Sequence, residues 1–159
     1  MVWKKPSSMS DAEFDAYIAK RIGDFLAIPL AGQFGFGRIV RKGFLAAYDL
    51  LSPTVPPLCQ IARSKILFVV TVNYNEYATR RWKVVGHEPP EDFLMQPQKF
   101  KRTDPITGKV DIYFEGEFFP VTDEDLDKLE PAAAWSADNV EMRLREHFGL
   151  PPLKLGKKS

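Results

Sequence analysis

The sequence is poor in the residues from which metal and redox centres are built. It holds one cysteine, Cys59, and two histidines, His87 and His147. A single cysteine excludes an intramolecular disulfide, so the fold has no need of an oxidising compartment. Two isolated histidines cannot supply the two or three that a catalytic zinc centre takes from rigid elements. No metal and no other cofactor is expected. Long apolar runs are missing too: the longest, residues 66–70, is far below the ~20 residues of a membrane helix. The first ten residues carry lysines but no apolar stretch behind them, so no secretory signal is expected and cytoplasmic residence is the default. Neither charge is in excess. The 22 basic and 21 acidic side chains leave +1, which gives no overall drive toward nucleic acid or an anionic membrane.

What the sequence does have is the material of a core. Its 159 residues are 45% hydrophobic and 13% aromatic, with twelve phenylalanines and three tryptophans. That balance predicts a single folded domain over 1–159, ordered over about residues 10–150 and frayed at 154–159.

Ser10 and Glu13 have the spacing of a capping box. Phe14, Tyr17, Ile18 and Ile22 follow at helical intervals until Gly23 stops the helix. Strand-like segments come next, at 25–30, 34–40, 44–51, 65–72 and 80–85, the last closed by Gly86. Pro29 cannot donate to a ladder and belongs at a sheet edge or a bulge. Residues 31–33 read as a turn, 52–57 as a stiff loop, and 87–109 as a long polar connection with a turn at 104–108. One or two late strands lie in 111–119. Thr122 opens a short acidic helix that ends near Glu130 and Pro131, and Ser136 caps a last helix whose Val140, Leu144 and Phe148 share one face. Helices at both ends of a strand block predict an α+β fold with a central antiparallel sheet. The short, glycine-punctuated strands suit a barrel-like curl. Trp82, alternating with Val84 and Gly86, is expected to anchor the core from within a strand.

Candidate chemistry is thin. Gly32, Gly35 and Gly37 have neither dinucleotide nor P-loop spacing, and read as hairpin glycines that admit a close neighbour. His87 stands near Glu88, Glu91 and Asp92, all metal-ligating types, but a single imidazole among them reads as ordinary polar loop. His147 falls in the last turn of a helix, where an imidazole suits the negative end of the dipole. Cys59, in an apolar context with no helix start or cationic neighbour, reads as a small buried hydrophobe. No Gly-x-Ser-x-Gly elbow occurs, and no catalytic residue is assigned.

Charge is where the sequence is least even. Between residues 111 and 141 ten carboxylates stand against one cation, Lys128, whereas residues 63–109 carry nine basic and five acidic side chains. The helix dipole accounts for Asp123, Glu124 and Asp125 after Thr122, but not for Glu115 and Glu117. Glu115, Glu117, Asp123, Glu124, Asp125 and Asp127 are therefore the candidate partner-binding residues, against the plainer reading of a solvated face.

Together, Gly23-Asp-Phe-Leu-Ala-Ile-Pro-Leu30, Phe36-Gly-Arg-Ile-Val40, Lys65-Ile-Leu-Phe68 and Trp82-Lys-Val-Val-Gly86 with Pro89 resemble a bacterial family, immunity protein 26 of polymorphic toxin systems. Leu129-Glu-Pro-Ala-Ala-Ala-Trp135 and Val140-Glu-Met-Arg-Leu144 extend the similarity, which spans roughly residues 20–148. The order of these short segments carries it more than any one of them, and His87 departs from the smaller polar residue expected there. The resemblance implies a cytoplasmic protein that binds a cognate toxin domain and blocks it. A basic nuclease would suit the acidic stretch. The family is also labelled phosphotriesterase-like, so the alternative is a small metal-independent hydrolase acting on phosphotriester-like substrates. Two histidines cannot build the usual bimetal centre of that chemistry. A deep pocket with Tyr, His and carboxylate side chains would favour the hydrolase, and a flat acidic face the binder.

Overall fold

The computed structural model describes residues 7–73 and 81–153, leaving aside the side chains of Asp123 and Leu126. The tail at 154–159 and the strand start at Arg80 lie outside these residues. In chain order the first elements are α1 (Asp11–Arg21), β1 (Asp24–Leu30), β2 (Gln33–Ile39), β3 (Phe44–Tyr48), α2 (Leu58–Arg63), β4 (Ile66–Val72) and β5 (Lys83–His87). Then come β6 (Phe100–Thr103), β7 (Val110–Phe114), β8 (Glu117–Pro120), α3 (Asp123–Leu126), β9 (Glu130–Pro131), β10 (Ala134–Trp135) and α4 (Ala137–His147). No helix among the described residues is long and apolar enough to cross a membrane. The chain divides into two compact units, one of residues 1–90 with 134–159 and one of residues 91–133.

The larger unit begins with the expected capping box: Ser10 Oγ accepts from the Glu13 amide, and the Glu13 carboxylate accepts from the Ser10 amide. Its six-stranded sheet has the order β10-β4-β3-β2-β1-β5. All joins are antiparallel except β10 with β4. The sheet is therefore mixed, and it stays open rather than curling into a barrel. The physical reason is its cover. Leu26, Ile28, Leu30, Leu45, Val70 and Val72 pack on one face with Phe14 of α1 and Ala137, Val140 and Leu144 of α4. Phe25, Ala27, Phe36 and Tyr48 pack on the other with Leu58 and Ile61 of α2. A sheet buried on both faces by helices has no need to close on itself.

Local rules explain the details. Ala31 and Gly32 both have positive φ, the two-residue turn that matches strand twist. Pro29 lies where β5 does not reach β1, so its missing donor interrupts no ladder. A Cβ on Gly37 would come within 2.6 Å of Leu45, and one on Gly35 within 2.8 Å of Leu30, so both glycines serve close packing as expected. Trp82 is buried, but it precedes β5 instead of lying in it. The bulge between Phe25 and Leu26 shifts the register, and Val84 points out at 42% exposure.

The smaller unit is a four-stranded sheet of order β8-β7-β6-β9, antiparallel except for the β6–β9 join. β7 and β8 form a hairpin around Glu115 and Gly116, whose φ values of 49° and 83° are those of the same tight turn. The turn at 104–108 is present, with the Gly108 amide donating to the Asp104 carbonyl. The helix expected from Thr122 is only one turn long, and Glu130 and Pro131 belong to β9. Within the supposed polar connection lies β6, too short for its alternation to stand out.

Candidate functional site

The structure places all six candidate carboxylates in the smaller unit. Glu115 is exposed at the hairpin turn, Glu117 is exposed at the start of β8, and Glu124 and Asp127 are exposed in and just after α3. Asp125 is half-buried and accepts a hydrogen bond from Thr122 Oγ1 at 2.8 Å. Asp123 is the first residue of α3, and its side chain lies outside the description. The unit holds 11 acidic and five basic side chains, a net of −6, and the rest of the chain carries +7. The unit thus holds most of the acidic excess, although the run at 111–141, at −9, is more acidic still because the unit also takes in Lys99, Lys101, Arg102 and Lys109.

Two carboxylates of that run leave the candidate surface. Glu141 on α4 is buried, accepts from Trp82 Nε1 at 3.0 Å and pairs with Arg81 Nε at 2.7 Å. Asp138 also pairs with Arg81. Burial works to lower the Arg81 pKa, but the hydrogen bonds and charges of Glu141 and Asp138 outweigh it and raise it. Such a cluster neutralises a buried charge and holds Trp82 in the core, which is structural work.

The histidines pair singly with carboxylates: His87 Nδ1 with Asp24 at 2.7 Å, and His147 Nε2, in the last turn of α4, with Asp49 at 2.9 Å. Among the described residues no group of three His, Cys, Asp or Glu could hold a metal ion. Cys59 overturns its expectation. It is exposed, sits in the first turn of α2, and has the Arg63 guanidinium 3.9 Å from its sulfur. Helix α2 follows prolines without a side-chain cap, which is why it was not anticipated.

Sequence reading missed the aromatic part of the smaller unit. Phe118 and Phe119 are 50% and 45% exposed on β8, and being consecutive they point to opposite faces. Phe118 packs on Tyr113 and under the Arg102 guanidinium. Phe119 helps line a pocket of about 280 Å³ with Ile112, Phe114 and Lys99. None of these lining residues is a Tyr, His or carboxylate. The signal was available: two adjacent phenylalanines in a short strand must send one ring outward from either face.

With this α+β scaffold and its acidic unit described, comparison with known proteins gives the family. The model of immunity protein 26 matches residues 21–111, more than half of the chain, and the chain belongs to that family. No curated protein and no solved structure matches it. The match runs from the end of α1 through β6 to the first two residues of β7, so Glu115, Glu117, β8 and α3 lie beyond it.

Proposed function

We propose that the chain is an immunity protein of a polymorphic toxin system that captures its toxin, in the cytoplasm, through the acidic unit at 91–133. Family membership implies a cognate toxin as partner. The observation that carries the finer reading is the partition of charge, −6 in the smaller unit against +7 elsewhere. Its exposed Glu115, Glu117, Glu124 and Asp127 suit a cationic surface. A nuclease holds phosphates in a positive groove, and carboxylates can occupy such a groove in their place. Charge at such an interface acts chiefly on association. Binding of the toxin domain should therefore weaken steeply between low and high salt. The triple variant E115K/E117K/E124K should associate roughly tenfold more slowly or worse, with its thermal midpoint almost unchanged. An association rate indifferent to salt and to these reversals would leave the stretch a solvated face.

A further inference from the structure

The charge of the smaller unit is not its whole surface. β7 and β8 pair so that Ile112 stands opposite Phe119, with Phe114 two residues along on the same face. These side chains and Lys99 line the pocket of about 280 Å³. Size decides what it suits. Pockets for small ligands run from about 300 to 1,000 Å³ and carry several convergent polar groups. This one falls just below that range, and Lys99 is the one polar side chain in its lining, which gives a metabolite little to be oriented by. A dry apolar cavity of about 150 Å³ already holds a benzene ring, so this pocket has room for a large apolar side chain. The pocket also lies on the unit with net −6, which favours a partner whose surrounding surface is basic. An apolar anchor seated in a desolvated pocket, with weaker contacts around it, is the arrangement in which few residues carry most of the binding energy.

We infer that the pocket bounded by Ile112, Phe114, Phe119 and Lys99 receives one large apolar side chain projecting from the basic surface of the toxin. This rests on the acidic unit being the toxin-facing surface. It assigns two roles to one hairpin: Glu115 and Glu117 speed encounter, and the pocket beside Phe119 slows release. Phe118, on the opposite face, takes no part.

The test is binding kinetics of the full chain with its cognate toxin domain, used in a catalytically inactive form. F119S should raise the dissociation rate about tenfold or more, on the scale of a lost anchor, and leave the association rate within about twofold. F118S should change dissociation less than about threefold, and F119W should hold the parent rate. If F119S does not fold, F119L, which keeps an apolar strand residue and opens the wall, should still speed dissociation by at least about threefold. Unchanged dissociation in F119S or F119L, with association still slowed by E115K/E117K/E124K, would overturn the pocket and leave the charge reading standing. If neither set of substitutions alters binding, both fall.

Discussion

The two units solve opposite problems. In the larger one, helices cover both faces of a six-stranded sheet, and all but three of the buried hydrophobic residues of the described chain lie there. The smaller unit, 43 residues long, buries Leu94, Phe100 and Ile112 and leaves Phe93, Ile106, Phe118 and Phe119 largely exposed. Near about 40 residues a chain has little volume in which to build a core. A unit of that size has most of its side chains at the surface, and here those side chains are acidic and aromatic. The buried core thus lies mostly in one stretch of the chain, and the proposed function assigns recognition to the other. Substitutions in the larger unit should act on folding, and surface substitutions in the smaller unit on binding.

The comparison is tested most severely by Trp82→Ala. It empties a large buried site and removes a hydrogen bond to buried Glu141. The expected loss is about 3–5 kcal/mol, read from urea unfolding, which leaves a domain of this size close to unfolded. A loss within about 1 kcal/mol would mean that Trp82 is not a core anchor.

A smaller loss is expected at Arg38, which is almost fully buried in β2. Its guanidinium lies 4.4 Å from the Phe25 ring centroid and donates to the carbonyls of Glu88 and Pro89 at 2.8 and 2.9 Å. Arg38→Met keeps the apolar stem but removes those bonds, and should destabilise by about 2 kcal/mol. A neutral or stabilising result would show that burial of the cation nearly cancels what its bonds contribute.

The smallest effect belongs to Asp104. Its carboxylate accepts from the amides of Ile106 and Thr107, which hold its pKa below the ordinary value. A carboxylate with a lowered folded pKa contributes stability that is present above its unfolded pKa and lost as pH falls through the folded one. Asp104→Asn should therefore be slightly less stable than the parent at neutral pH. The difference should close as pH drops below the normal carboxylate range. Parallel unfolding curves separated equally at pH 3 and pH 7 would contradict it.

Legibility in the sequence followed the range of the interactions. The Ser10–Glu13 capping box, the apolar face of α4, the turn at Asp104 and the buried strand β4 depend on residues within a few positions of one another, and each was readable. The candidate carboxylates were readable as a run, but their grouping was not. Only the fold drew Asp138 and Glu141 into a structural cluster with Arg81 and left Glu115, Glu117, Glu124 and Asp127 on the surface of another unit. The aromatic pocket needed the register of β7 on β8.

What the sequence determined by itself was local conformation and the supply of charge, because caps, turns and side-chain periodicity are settled by neighbours along the chain. Tertiary structure alone decided the joins of β6, β9 and β10, strands of two to four residues whose own alternation is too short to define a face. It also decided the burial of Arg38 and Glu141, whose partners lie 50 and 59 residues away. A buried charge is tolerable only where the fold delivers groups to satisfy it, and that delivery is a property of the whole chain.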